Sequence, residues 1–253
     1  MFSVTITDSE RKYNINLGDQ AALEQALRLV GVDAGDASAV AGSILDWIDQ
    51  DDSTHVGGTE SDYYQSLDPP YFAKNQPMDD LSELLLVRGV TPEIYWGGVA
   101  TNHSMAAFQA RRNQLGAVPA LVTYNVGLHD LFTPISNGRI NINTASQTTL
   151  QMIPYVDDAI AAKIIEFRAG LDGAQGTEDD MPAGMAGVTV ENALLSAGMS
   201  RQAVTFAARY CTTRSSTFEV EVDAEVAGYH RKFYAILGRT SPRDVQVLSF
   251  YWK

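Results

Sequence analysis

The chain shows two hydrophobic periodicities, and each predicts a different kind of element. Apolar and polar residues alternate at Phe2–Thr7 and again at Phe218–Val226, where every second residue is acidic. A period of two is typical of a half-buried strand with one apolar and one polar face. Two further apolar stretches, Tyr229–Leu237 and Val245–Trp252, follow short turn signals. The two ends of the chain therefore predict an antiparallel sheet, a C-terminal meander that the N-terminal strand extends.

Between these strands the apolar spacing changes to that of short helices. Asp19 stands at the N-cap position of one such stretch, and a second begins at about Asp36. Thr91-Pro92 opens another, because proline is favoured in the first turn of a helix. Residues 97–136 give no clear pattern apart from a short strand predicted at Leu121–Tyr124.

An internal repeat lies within this helical region. Asn14-Ile15-Asn16 recurs as Asn141-Ile142-Asn143, and in each case an apolar helix follows. Paired short helices joined by tight turns are the repeating unit. The fold class predicted is thus α+β: residues 1–17 and 216–253 form the sheet, and residues 18–215 form a large inserted all-helical domain of the helix-hairpin-helix or SAM-like kind.

Composition narrows the classes of partner. The chain has 253 residues with 18 Lys+Arg against 31 Asp+Glu, a formal net charge of −13. A phosphate-binding surface needs clustered Lys and Arg, so neither nucleic acid nor an anionic membrane surface is expected as a partner. The single cysteine, Cys211, excludes an internal disulfide framework and a multi-cysteine zinc site.

The most acidic loop, residues 49–62, is a candidate cation site. Asp49 and Asp51 stand at one end of it, Glu60 and Asp62 at the other, and aromatic residues flank both ends. Like charges held close together are unfavourable unless something neutralises them. A calcium ion (Ca2+) takes six to eight oxygen ligands and suits such a loop. The alternative is a solvated acidic surface loop.

A second acidic loop, residues 172–180, is rich in glycine. Asp172, Thr177, Asp179 and Asp180 supply its candidate oxygen ligands. Its spacing departs from that of the EF-hand loop, which ends on a bidentate glutamate. The sequence therefore predicts one or two bound Ca2+ ions, and a solvated loop is the alternative here as well.

Catalytic chemistry is not indicated. The nucleophile-elbow, phosphate-loop, dinucleotide and zinc-protease motifs are all missing from the sequence. His55, His103, His129 and His230 are scattered without metal-ligand spacing. We therefore expect a protein that is not an enzyme.

The passage Ile140–Arg168 resembles the helix-hairpin-helix modules of DNA-binding and DNA-uptake proteins. Such modules present backbone amides to phosphate at their hairpin. Here the hairpin is Tyr155–Asp158, with two carboxylates where amides and a lysine are wanted. The passage is interpreted as a packing unit, and a DNA-binding module of a DNA-uptake apparatus stays open as the alternative function.

Taken together, these motifs resemble the K-type minor pseudopilins of the type II secretion system, the general secretion pathway protein K family. The resemblance runs in the family's order over nearly the whole chain, and the block from Asp46 to Gly89 is its specific part. The carrying residues are Asp46-Trp47-Ile48-Asp49 with Asp51, Glu60–Tyr64, Ser66–Tyr71, Asn75, Pro77, Leu81–Leu84, Arg88-Gly89, Ile140–Ala145 and Val245–Ser249.

The resemblance implies a pilin-like sheet with an inserted helical domain, bound calcium, and a non-enzymatic place at the tip of the pseudopilus. There the protein would join the I-type and J-type minor pseudopilins, help start pseudopilus assembly and support export across the outer membrane. The family is anchored in the inner membrane by an N-terminal apolar helix that follows a leader. Neither segment is in this sequence, so we expect a periplasmic domain that meets the membrane only through that absent helix.

Overall fold

The computed structural model describes residues 2–99, 123–175, 177–178, 180–184, 187–226, 228–241 and 243–252. Two compact units divide the chain, one made of residues 1–14 and 135–253, the other of residues 15–134. The predicted division into residues 1–17 with 216–253 and residues 18–215 follows the sheet rather than these units, and it stays a prediction.

Most strands and helices of the described residues are short, and a few are long. The strands are β1 (Phe2–Asp8), β2 (Tyr13–Asn14), β3 (Gly98–Val99), β4 (Thr123–Tyr124), β5 (Phe132–Thr133), β6 (Ile140–Asn141), β7 (Cys211–Thr212), β8 (Thr217–Val226), β9 (Tyr229–Ser241) and β10 (Asp244–Trp252). The α-helices are α1 (Gln20–Val30), α2 (Ala34–Ile48), α3 (Ser61–Gln65), α4 (Pro92–Trp96), α5 (Leu128–Leu131), α6 (Gln147–Leu150), α7 (Asp158–Arg168), α8 (Val190–Ser196) and α9 (Arg201–Ala207).

The four long strands form one antiparallel sheet in the order β1, β8, β9, β10. Because β1 opens the chain and β8 to β10 close it, the helices lie between two strands of one sheet in chain order. The predicted α+β class, with a C-terminal meander that the N-terminal strand extends, is confirmed.

The register gives this sheet one apolar and one polar face. Val4 pairs with Val222, and Val222 pairs with Phe233 on the next strand. On the other face Glu221 pairs with Tyr234, whose ring stacks on Tyr251 at 5.0 Å between centroids. The prediction that the apolar face is buried was wrong for the described residues. Val222 and Phe233 on the central strands are only half-buried, and the outer strands expose their side chains: Phe2 is 74% exposed, Ile6 65% and Trp252 59%. Alternation fixes which residues share a face but not what covers that face.

Helices α1 and α2 supply much of the core of the unit formed by residues 15–134. Leu23, Leu27 and Ile44 are fully buried. Asp19 caps α1 as predicted and accepts the backbone N–H of Ala22 at 2.8 Å. Helix α2 begins before the predicted Asp36, because the earlier Asp33 caps it.

The last asparagine of each Asn-Ile-Asn copy makes equivalent hydrogen bonds, one asparagine in each unit. Asn16 accepts the backbone N–H of Met78 at 2.7 Å and donates to the Met78 carbonyl and the Pro134 carbonyl. Asn143 accepts from the N–H of Ala183 at 2.9 Å and donates to its carbonyl and to that of Thr213. Each asparagine thus satisfies both polar groups of one distant residue, which gives the sequence repeat a structural reason.

Helices α6 and α7 form the predicted helix-hairpin-helix. Asp157 caps α7 by accepting the N–H of Ile160 at 2.8 Å, and Tyr155 in the hairpin has a φ of 66°. The buried Arg168 at the end of α7 donates to the carbonyls of Ile142 and Ala145 at 2.8 and 2.9 Å. The motif is therefore tied internally to the Asn141–Asn143 copy of the repeat.

The predicted short strand is described only in part. Strand β4 pairs with β3, while Leu121 and Val122 of the predicted short strand lie outside the described residues, as does His103. Within the described part of the chain, no helix is both long and apolar enough to cross a bilayer.

Candidate metal centre

A buried carboxylate at the end of α2 organises the first acidic loop. Asp46 is fully buried on the inner side of the helix. It accepts the backbone N–H of His55 at 2.9 Å, the His55 Nδ1 at 2.6 Å and the backbone N–H of Thr59. Asp46 therefore folds the loop after α2 back onto the helix that carries it.

Two glycines make this close approach possible. A Cβ on Gly42 would lie 3.0 Å from the backbone nitrogen of Gly58 and 3.0 Å from the carbonyl oxygen of Val56. A Cβ on Gly58 would overlap the carboxylate of Asp46. The loop can rest on α2 because neither residue carries a side chain.

An aromatic cluster fixes the segment that follows. Tyr64 of α3 is fully buried; its ring meets the edge of Trp47 at 5.4 Å and stacks on Tyr71 at 5.2 Å between centroids. Trp47 directly follows Asp46 on α2, and its indole N–H donates to Glu83 at 3.3 Å. This packing holds the start of α3, where Glu60 is the N-cap residue, beside the end of α2.

Four side-chain oxygens of this region are buried without a hydrogen-bond partner among the described residues. They are Oδ1 of Asp49, both carboxylate oxygens of Glu60, and Oδ1 of Asn75. Glu60 occupies an N-cap position yet makes no capping hydrogen bond with its side chain. Buried polar atoms are nearly always paired, so this set of unpaired acceptors on three residues is a candidate binding site for a cation.

The electrostatics agree with the geometry. Burial raises the pKa of Glu60 to about 7, and the nearby Asp46 and Asp49 carboxylates raise it further. Burial also raises the pKa of Asp49, with Asp51 as the next cause. Both shifts mean that the ionised forms are poorly stabilised in the protein alone.

The four predicted ligands of this loop are not equivalent. Asp49 and Glu60 supply orphaned oxygens, whereas Asp51 is exposed and accepts the N–H of Ser53 at 2.7 Å. That hydrogen bond lowers the pKa of Asp51. Asp62 is exposed in the first turn of α3.

Sequence reasoning did not name three residues of the site, Asp46, His55 and Asn75, as candidate ligands. In the sequence Asp46 is one member of an acidic run, although an acid at a core-facing position of α2 indicates a buried carboxylate that needs hydrogen-bond partners. Sequence reasoning gives His55 no special place, yet the Nδ1 of this residue lies 2.6 Å from Asp46 and 3.5 Å from Asp49. Asn75, with a φ of 48°, donates to the Asp51 carbonyl and to Asp52 at 3.2 Å each, and only the fold brings it there.

The donor set suits a hard divalent cation. Carboxylates and an amide oxygen are ligands that calcium prefers. The Asp46, Asp49 and His55 side chains also place one ligand atom each within 4.8 Å of one another. Because Asp46 and His55 already hydrogen bond to each other, the orphaned oxygens of Asp49, Glu60 and Asn75 are the better candidate ligands.

The second loop brings three of its four predicted residues together. The hydroxyl of Thr177 lies 3.4 Å from Oδ1 of Asp172 and 3.4 Å from Oδ1 of Asp180. Asp172 also accepts the N–H of Ala174 at 2.8 Å. Asp179 lies outside the described residues. A cation at residues 172–180 stays a prediction.

Glu60 predicts a pH dependence of stability in the metal-free protein. Its pKa rises from an ordinary 4.5 to about 7 on folding. Stability from this group is therefore fully present below about pH 4.5 and is lost as the pH rises through about 7. In chelator, the melting temperature of the wild type should fall more between about pH 5 and about pH 7.5 than that of Glu60→Gln. Parallel pH profiles for the two proteins would contradict this prediction.

Comparison with known proteins gives two family matches. Residues 6–96 match the family described as type II secretion system, protein K, and residues 136–173 match the helix-hairpin-helix motif. The second match covers the helix-hairpin-helix described above.

Three curated relatives carry the name type II secretion system protein K. The protein of Klebsiella pneumoniae is 28% identical over 104 residues, that of Pectobacterium carotovorum 35% over 69, and that of Aeromonas hydrophila 36% over 75. These matches cover 36%, 27% and 29% of this chain, and only 32%, 21% and 23% of the relatives' own lengths.

A solved structure extends the likeness of fold to the whole chain. A chain in the crystal structure of the GspK-GspI-GspJ complex from the enterotoxigenic Escherichia coli type 2 secretion system aligns with a TM-score of 0.65 and 19% identity. The alignment covers 100% of this chain and 79% of that one. The chain is therefore similar to type II secretion system protein K at residues 6–96, and over its whole length it shares the fold of that chain of the solved complex.

Proposed function

We propose that this chain is a non-enzymatic minor pseudopilin that acts at the tip of the type II secretion pseudopilus. There it helps initiate pseudopilus assembly and thereby protein export across the outer membrane. The observation that carries the proposal is the protein K match at residues 6–96, together with the chain-wide likeness of fold. A sheet built from the two chain ends, with helices between them, suits a filament subunit with an added helical head.

The partners we propose are the I-type and J-type minor pseudopilins. The solved complex that this fold resembles is named for three components, GspK, GspI and GspJ. We assign this chain the K position in an equivalent assembly. Its location would be the periplasm, as the domain of a protein anchored in the inner membrane by a helix outside this sequence.

Calcium at the first acidic loop would stabilise the unit formed by residues 15–134. The residues that would hold it are Asp49, Glu60 and Asn75, whose orphaned oxygens support the proposal. Asp51 and Asp62 were predicted as ligands as well, and both are exposed. A bound ion supplies the positive charge that lets these acids stay ionised side by side.

A second ion at residues 172–180 is proposed with less structural support. The contacts of Thr177 with Asp172 and Asp180 bring oxygens together in that loop. Unlike Glu60, whose two carboxylate oxygens have no partner, Asp172, Thr177 and Asp180 each have a side-chain oxygen engaged in a hydrogen bond within the loop.

The helix-hairpin-helix match favours a second candidate, a DNA-binding module of a DNA-uptake apparatus. The hairpin chemistry opposes it. Asp157 caps α7, Asp158 accepts from Gln147 at 2.7 Å, and both place negative charge where phosphate would approach. Salt-sensitive binding to duplex DNA would support this alternative, because phosphate contacts release counterions.

The proposed function is tested by assembly with the two partners. Soluble I-type and J-type pseudopilins of the same bacterium, mixed with this protein, should give a ternary complex on size-exclusion chromatography with light scattering. A matched major pseudopilin is the control and should not substitute for either partner. Failure of all three proteins to co-elute, with each one folded by circular dichroism, would contradict the K assignment.

A further inference from the structure

A cleft beside the proposed cation site contains an arginine that forms no ion pair within the described part of the chain. The cleft has a volume of about 840 Å³ and is lined by Glu60, Asp62, Tyr63, Phe72 and Arg88, among others. It is open to solvent along the exposed side chains of Arg88 and Phe72, the latter 69% exposed. The cleft is large enough to admit side chains of another protein.

Arg88 is unusual among the cations of its unit. Of the Lys and Arg side chains described in residues 15–134, Arg28 pairs with Glu24 at 3.3 Å, and Lys74 pairs with Asp79 and Glu83 at 2.7 and 2.8 Å. Arg88 forms no ion pair with any described residue, although Glu60 and Asp62 line the same cleft. In so acidic a unit an unpaired arginine is unexpected.

The guanidinium of Arg88 is nevertheless held in place. Its Nη1 donates to the Thr59 hydroxyl at 2.7 Å, and its Cζ lies 5.1 Å from the centroid of the Tyr63 ring. Its backbone N–H donates to the Tyr64 hydroxyl at 3.2 Å. Only some of the five guanidinium N–H groups are used by these contacts, and the remaining donors are arranged in a fixed fork that matches a carboxylate.

We propose that Arg88, Tyr63 and Phe72 form a docking surface for a carboxylate-bearing segment of a partner pseudopilin. An arginine stacked on a tyrosine, beside an exposed phenylalanine in a cleft, has the composition of an interaction hot spot. The partner would place an Asp or Glu on the guanidinium and an apolar side chain against Phe72. Arg88 selects this occupant once a bound cation offsets the acids of the cleft, because among the described Lys and Arg side chains of the unit it alone forms no ion pair.

The docking would depend on the metal, and in this respect it rests on the proposed function. Asp52, Glu60 and Asp62 line the cleft and would repel an incoming carboxylate. A cation bound by Glu60 and Asn75 would offset the negative charge of the cleft, so that the positive charge of Arg88 would attract the partner's carboxylate. We therefore expect partner binding to weaken in chelator as well as on mutation of Arg88.

The test measures the affinity of the full chain for the preformed complex of I-type and J-type pseudopilins by biolayer interferometry. Arg88→Ala and Arg88→Gln should each bind about 10- to 100-fold more weakly than the wild type in calcium. Phe72→Ser, at an exposed position, should bind about 5- to 20-fold more weakly without a folding defect. Arg28→Ala, which removes an exposed arginine on α1, is the matched control and should bind within about twofold of the wild type.

The rise in melting temperature on adding calcium is recorded for each variant. Retention of this rise in Arg88→Gln and Phe72→Ser, with weaker partner binding, supports the docking surface. Unchanged affinity in all three variants would overturn it while leaving the K assignment intact. A second outcome would also overturn the docking surface: Arg88→Gln loses the calcium response while Phe72→Ser binds the partners as tightly as the wild type. Arg88 would then affect partner binding only by supporting the cation site. No binding by the wild type would refute both proposals.

Discussion

Calcium is expected to raise the melting temperature of the metal-free protein by about 5 to 10 °C, and Asp49→Asn with Glu60→Gln should abolish the rise. A ligand that binds only the native state adds about 2.7 kcal/mol when its concentration is 100 times its Kd. For a chain of this size each kcal/mol shifts the melting temperature by about 2 to 4 °C. Differential scanning fluorimetry in calcium and in chelator measures the effect.

Relative to the wild type, the double variant should change the melting temperature in opposite directions in chelator and in calcium. In chelator the amides remove repulsion among buried acids whose pKa values are raised, so the variant should melt at or above the wild-type temperature. In calcium it should melt below the wild type, because it lacks two of the ligands. Asp68→Asn, an exposed carboxylate of the same unit, is the control and should keep the full calcium response. An equal loss in both conditions would show that Asp49 and Glu60 support the fold directly.

Asp46→Ala should destabilise the protein by about 3 kcal/mol in calcium and in chelator alike. The substitution removes the acceptor of the His55 and Thr59 backbone N–H groups. It leaves the N–H of the buried Thr59 unpaired, and an unsatisfied buried donor costs about 1 to 3 kcal/mol in addition to the hydrogen bonds that Asp46 no longer makes. Chemical denaturation in both buffers gives the free energies of unfolding.

The comparison with Asp49→Asn separates anchoring from metal binding. Asp46 holds the loop through hydrogen bonds within the protein, whereas Asp49 keeps an orphaned oxygen. We therefore expect the Asp46→Ala loss to be independent of calcium and the Asp49→Asn loss to require it. A loss for Asp46→Ala that appears only in calcium would make Asp46 a ligand instead of an anchor.

Local sequence patterns were sufficient for most of the described elements. Alternation over Phe2–Thr7 and Phe218–Val226 identified strands that pair with each other although they lie at opposite ends of the chain. The capping residue Asp19 located α1, because a capping side chain acts on an amide only two or three residues away, and the first-turn proline Pro92 located α4. The predicted start of α2 is too late, since Asp33 and Asp36 both suit a helix N-terminus and only the backbone conformation selects the first.

The repeat shows the limit of such patterns. The sequence indicated that Asn14–Asn16 and Asn141–Asn143 are equivalent, and Asn16 and Asn143 do make equivalent hydrogen bonds. Their partners, Met78 and Ala183, carry no sequence signal, because both are held through backbone groups that every residue other than proline possesses. The role of the repeat could therefore be inferred, but the residues it holds could not.

The sequence by itself determined that this protein has an antiparallel sheet, paired short helices and an acidic loop, and it predicted a cation at that loop. It did so because periodicity, capping and charge are properties of neighbouring residues. The tertiary structure decided which acids matter: it buried Asp46 as an anchor, left Asp51 exposed, and brought Asn75 to the acidic loop that holds Asp49 and Glu60. Burial and hydrogen-bond satisfaction depend on segments that meet only after folding, so the proposed ligand set and the lack of an ion pair between Arg88 and any described residue are properties of the fold and not of the sequence pattern.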